Sequence, residues 1–159
     1  APDDPLAELF AEGPSEPPAD PVLKRLFPDA YSDPEGTPQA KEAEEQRAYS
    51  SEFRRYTEND LRAGKRDNAL MVVRSLDGLS SASAGEGGAV LKLSAEESQQ
   101  WLGALNDLRL AIGSRLEITD EDDTDLLYRL PDEDPRKPMV MAYLWLGGLQ
   151  ETLVSTLMP

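Results

Sequence analysis

The chain of 159 residues contains no cysteine and no histidine. Without thiols these residues form no disulfide, hold no thiolate metal site or iron–sulfur cluster, and perform no thiol chemistry. Without imidazole they lack the commonest general base, the commonest metal ligand and the usual switch near neutral pH. A Ser-His-Asp triad is therefore excluded. Positive charge is scarce as well: 16 Lys and Arg stand against 31 Asp and Glu, a formal net charge of −15. The lack of disulfides accords with a reducing cytoplasm, the expected location. Long apolar runs are missing. The longest, MVMAYLWLGGL from Met139 to Leu149, falls short of the about 20 residues a bilayer demands, so a soluble protein without membrane contact is expected. Residues 1 to 12 are acidic and interrupted by prolines, unlike a secretory leader. The first residue is Ala1 rather than methionine, and an upstream piece is expected.

The composition still suffices for a folded domain: 39% of residues are apolar and 30% charged, in a chain long enough to bury a sizeable core. Prolines crowd residues 1 to 37, where two apolar clusters survive, LAELF (Leu6, Leu9, Phe10) and VLKRLF (Val22, Leu23, Leu26, Phe27). Each spacing suits one or two helical turns docked on the rest of the domain. Thr37 followed by Pro38 reads as a helix start. The run from Gln39 carries Tyr49, Phe53 and Tyr56 on one helical face. Thr57 with Asp60 three residues later can open a second helix, so a break near Thr57 is expected. Beyond it Leu61, Ala69, Val72, Val73 and Leu76 form the expected buried stripe.

Gly78 to Gly88, GLSSASAGEGG, reads as a flexible linker. AVLKL after it is a short strand or an extended segment. SAEE, Ser94 to Glu97, is a capping box. The helix it opens carries Trp101, Leu105, Leu108 and Ile112 at spacings of a helical stripe, widened by Leu102, and is expected to end at Gly113 or a turn later. Residues 117–134 hold nine acids against Arg129 alone, a net of −8 in eighteen residues, and read as a solvated acidic loop around a short LLYRL element. A last helix is expected over Lys137 to Leu157, apolar almost all round in its first half, with Gly147 and Gly148 allowing close approach of a neighbouring helix. The expected fold is an all-α single domain of five or six helices. A proline-rich segment at 1–37 docks on a helical domain at 38–159.

No catalytic or metal-binding constellation emerges. DEDDTD superficially matches a calcium loop, yet Asp125 stands where glycine is needed and Pro131 where the bidentate glutamate belongs. The acids lie in a polar run without the apolar cover that shifts a carboxyl towards working pH. No cofactor, metal or catalytic residue is expected. The one cationic segment spans Arg47 to Arg74, with seven bases and four acids. Glu58 and Arg62 are spaced for an intrahelical pair, with Arg66 one turn on. A positive field is what binds phosphates, and outside this patch the chain repels polyanions, so no direct nucleic-acid contact is expected. Ordinary surface pairing accounts for part of this charge, and partner docking through the helix face of Arg55, Arg62, Lys65 and Arg66 is the functional reading. A homodimer formed through the apolar C-terminal helix is the alternative.

The phrases DPLAELF, RLFPDAY, EFRRYTENDLRAGKRDNA, WLGALNDLRLAIGSRL and YLWLGGLQETLV together resemble one actinobacterial domain-of-unknown-function family, to which the name actinobacterial oxidative-stress regulator (AosR) is attached. The resemblance runs from Asp4 to near the C-terminus. It implies a non-enzymatic cytoplasmic regulator, encoded beside the ClpS adaptor and genes of a sulfur-carrier route to cysteine. Such a protein contacts an alternative sigma factor, and so RNA polymerase, to raise transcription of cysteine-biosynthesis genes under oxidative stress. It also implies an additional N-terminal segment and a redox-sensing cysteine pair. The pair has no counterpart in these residues. Asn106, Asp107 and Arg109 fall in one of the shared phrases, either as packing anchors or as contact residues.

Overall fold

Proline, hydroxyl or carboxylate groups mark the helix starts at Pro21, Ala95, Glu121 and Lys137. The computed structural model describes residues 12–31, 39–82 and 87–159, and the statements below concern these. LAELF, the Thr37–Pro38 start and residues 83–86 of the expected linker lie outside them. Five helices follow in order: α1 (Pro21–Leu26), α2 (Ala40–Ala82), α3 (Ala95–Arg115), α4 (Glu121–Tyr128) and α5 (Lys137–Leu157). No strand occurs among the described residues, so the fold is all-α, and AVLKL is extended rather than sheet. Two compact units divide the chain, Ala1–Ala63 and Gly64–Pro159.

In the first unit, the Asp20 side chain accepts from the amides of Val22 (2.9 Å) and Leu23 (3.1 Å), and Pro21 supplies a pre-set φ at the start of α1. Phe27, at its end, is buried. Tyr31 is held by Ser50, whose hydroxyl accepts from the Tyr31 amide and donates to the Tyr31 carbonyl, both at 3.0 Å. The Tyr31 ring meets Tyr49 and, edge-on, Phe53. The Tyr49, Phe53 and Tyr56 face still remains largely open to solvent.

The expected break near Thr57 does not occur. The Thr57 hydroxyl donates to the Phe53 carbonyl one turn back (2.8 Å), so it is satisfied inside α2 and caps nothing. Nor does the helix stop at the expected linker, because Gly78 to Ala82 continue it. The expected stripe is corrected too. Leu61, Val73 and Leu76 are exposed, while Met71 and Val72 pack on the core of the second unit. A helix this long offers several apolar faces, and only its neighbours select which one is buried.

That core consists of Trp101 and Leu105 from α3 and Leu146 from α5, with Leu91, Leu93, Ile112, Leu149 and Leu153 around it. The capping box forms as expected: the Ser94 hydroxyl accepts from the Glu97 amide (3.1 Å) and the Glu97 carboxylate from the Ser94 amide (2.8 Å). Leu108, expected in the buried stripe, is exposed. α3 closes with a Schellman turn in which the Ile118 amide donates to the Gly113 carbonyl (2.9 Å) and Glu117 takes φ 57°, a conformation more usual for glycine. A side chain at Gly103 would strike Asn68, its Cβ lying 2.5 Å from the amide nitrogen, so glycine permits the approach of α2 and α3 there.

Part of the acidic stretch is helix rather than loop: α4 takes in Glu121, Asp122, Asp123 and Asp125, while Glu117, Asp132, Glu133 and Asp134 stay outside it. Asp120 caps α4 by accepting from the Asp123 amide (3.0 Å), and Glu121, Asp122 and Asp123 fill its first turn. Negative charge at a helix N-terminus meets exposed amides and the positive end of the dipole, which is why an acidic run starts a helix here. Asp123 also accepts from both the amide (2.9 Å) and hydroxyl (2.6 Å) of Thr119, hydrogen bonds that hold its carboxyl below the usual pKa. Lys137 donates to the carbonyls of Tyr128 and Leu130, closing the end of α4 against the start of α5. α5 packs on α3 and α4. No helix among the described residues is long and apolar enough to cross a membrane.

Candidate partner-binding site

Enclosed chemistry is scarce. The space beside Phe27 and Arg54 measures about 40 Å³, which suits a single water better than a substrate. Among the described residues no three carboxylates converge as metal ligands.

The cations of α2 divide by their partners. Arg54, absent from the expected docking face, is the buried one. Its Nη1 donates to Glu58 (2.7 Å) and the Phe27 carbonyl (3.1 Å), and its Nη2 to Asp29 (2.9 Å). Arg54 is 5% exposed and Glu58 2%. Burial alone would lower the Arg54 pKa; the hydrogen bonds and charges of Asp29 and Glu58 outweigh it and leave it raised. This cluster ties α1 to α2. Its only sequence signal is the i, i+4 spacing of Arg54 and Glu58, since Asp29 lies 25 residues away.

Of the expected docking residues in the first unit, Arg55 pairs with Glu12 (2.9 Å), which raises its pKa chiefly through that hydrogen bond. Arg62 pairs with Glu58 (3.4 Å), as its spacing predicts, and its guanidinium stacks over the Phe27 ring, 4.6 Å from the centroid. In the second unit, Lys65 meets Asp107 of α3 at 2.7 Å. Arg66 is exposed and forms no ion pair among the described residues. Three of the four cations are thus engaged, and Arg66 is open.

A different arginine occupies a groove between α3 and α5. Arg109 donates from Nη1 to Gln150 (2.9 Å), and its guanidinium lies 5.1 Å from the Tyr143 ring centroid. A Cβ on Gly147 would sit 3.3 Å from the guanidinium, so glycine leaves the space it fills. Instead of a helix backbone against both glycines, the Arg109 side chain lies at Gly147 and Gly148 faces open space. The groove holds about 670 Å³ and includes Leu144, Val154 and Met158 along its wall. Asp107 and Arg109 each bond a side chain of another helix, Lys65 and Gln150, whereas Asn106 is exposed.

Comparison with known proteins adds a lineage to this geometry. Residues 1–157 match the model of the domain of unknown function DUF2017. The chain belongs to the DUF2017 family. Among its relatives, the oxidative stress regulator AosR of Mycobacterium bovis is 31% identical over 163 residues, covering 99% of this chain and 68% of the relative. AosR of Mycobacterium tuberculosis gives the same figures. An AosR-type protein of Mycobacterium leprae is 32% identical over 162 residues, covering 97% of this chain and 68% of its own length. No solved structure matches the chain. The resemblance noted in the sequence is therefore one of family.

Proposed function

We propose that this DUF2017 chain is a cytoplasmic regulator of the oxidative-stress response that acts by contact with another protein and catalyses no reaction. The observation carrying this reading is similarity over 99% of the chain to a protein named as an oxidative stress regulator. The partner proposed is an alternative sigma factor engaged with RNA polymerase, and the output is transcription of cysteine-biosynthesis genes. These 159 residues hold no thiol, so their part is contact, and oxidant sensing by cysteine lies outside them. Arg55, Arg62, Lys65 and Arg66 of α2 form the proposed docking face. Arg66 is its exposed member without an ion pair among the described residues, since Arg55, Arg62 and Lys65 already meet carboxylates.

Binding of purified sigma factor, alone and in holoenzyme, to the chain and to Arg66→Glu tests both levels of the reading. Charge reversal is expected to weaken binding severalfold and leave the melting curve unchanged. Equal binding by both proteins removes α2 from the docking face. A deletion strain that induces cysteine-biosynthesis genes normally under oxidant removes the regulatory role.

A second reading, a homodimer through α5, draws on the exposed Met141 and Trp145, which lie one turn apart on that helix. Light scattering at micromolar concentration separates the two, since a monomer eliminates the dimer.

A further inference from the structure

We infer that the groove between α3 and α5 is a docking site for a segment of a partner protein that presents an aspartate or glutamate carboxylate to Arg109 between apolar side chains. The inference deepens the proposed contact function and rests on it. It places a second contact surface in the C-terminal unit, apart from the α2 cations.

Charge carries the case. The chain holds 31 acids against 16 bases, and of the described cations that are not exposed, Arg54, Arg55 and Lys65 each meet a carboxylate and Lys137 meets two backbone carbonyls. Arg109 is half-buried and has none within 4.0 Å among the described residues. Its Nε is buried and makes no hydrogen bond, and only Nη1 is engaged, by the neutral Gln150. With Nε shielded and Nη1 taken, Nη2 is left to donate a charge-assisted bond to a carboxylate. Tyr143 and Gln150 fix its orientation beforehand, so little side-chain freedom is lost on binding.

Shape selects the kind of ligand. The wall runs from Leu144 to Met158, with Leu144, Val154 and Met158 interspersed with Gln150, Glu151 and Ser155, about 21 Å along α5 at the rise of a helix. That length suits a peptide segment rather than a small solute. Val154 and Met158 are exposed, and methionine adapts readily to a varied partner surface. Glu151 shares the groove, which favours one aligned carboxylate over a polyanion such as nucleic acid. A second copy of this chain would bring −15 against −15, a repulsion that favours a different protein as occupant.

Selection of displayed random dodecapeptides on the full 159-residue chain tests this. The recovered peptides are expected to share an Asp or Glu flanked by Leu, Ile, Phe or Met. The best one, made synthetically and fluorescently labelled, should bind at least tenfold more weakly to Arg109→Gln. Val154→Glu keeps Arg109 and adds a like charge to the groove, so it should weaken binding by a similar factor even if the first variant folds poorly. Trp145→Ala, outside the groove lining, should bind as the parent does. Peptides without an acid, unchanged binding by both groove variants, or no recovered peptide would overturn the proposal. So would displacement of the peptide by millimolar N-acetylglutamate alone, which would mark a small-anion site. A dimer that Arg109→Gln dissociates would give the groove to a second copy instead. Peptide binding through Arg109 together with a normal oxidant response in the deletion strain would keep the groove and discard the regulator.

Discussion

Two arginines, one in each compact unit, meet opposite surroundings. Arg54 is buried with Glu58 and Asp29 and a backbone carbonyl around it. Arg109 is half-buried with a glutamine, a tyrosine ring and an open groove. Both leave Nε without a partner, so the difference lies in the carboxylates. A guanidinium completed by acids has become part of the scaffold, because removing either partner strands the other charge in a low-dielectric site. A guanidinium left without an acid contributes little to the scaffold and keeps its charge available.

The largest effect that would break this comparison concerns Glu58. Glu58→Ala should destabilise the protein by about 3 kcal/mol, the order expected when one member of a buried pair is removed, measured by urea unfolding. A loss below about 1 kcal/mol would show that Asp29 alone completes Arg54. Arg109→Gln sharpens the contrast from the other side. It forfeits one hydrogen bond from a charged donor to a neutral acceptor and one ring contact at a half-buried site, so the loss should stay near about 2 kcal/mol, below that of Glu58→Ala. A loss equal to that of Glu58→Ala would make Arg109 scaffold as well.

The smallest effect is a dependence on pH. Asp123 is lowered by its hydrogen bonds from Thr119, and Asp134 by those from Arg136. A carboxyl whose pKa is lower folded than unfolded stabilises above the unfolded value, about 3.9, and loses that contribution as pH falls through the folded value. Stability should therefore decline below about pH 4, and Asp123→Asn should flatten the decline in acid melts. Both carboxyls are on the surface, so the change should be slight and diminish further in high salt.

Local signals were legible in the sequence, and non-local ones were not. The Ser94 capping box, the span of α5 and the helical VLKRLF turn all rest on neighbours within a few residues, and the structure contains them. Thr57 was ambiguous because a hydroxyl can either start a helix or bond back within one, and the preceding turn decided. The helix inside the acidic run is not legible because its charge pattern resembles a solvated loop, though the same acids suit a helix N-terminus. The Glu58–Arg62 pair was readable at a spacing of four. Lys65 finding Asp107 across 42 residues, and Arg109 finding Gln150 across 41, were not.

By itself, the amino-acid order determined that this chain is helical, strongly anionic and devoid of imidazole and thiol chemistry, because propensity, caps and charge are properties of short stretches. Only the tertiary structure decided which of its sparse cations are consumed by acids and which stays open. That outcome depends on the carboxylates brought within a few ångströms by packing, and sequence distance does not encode it.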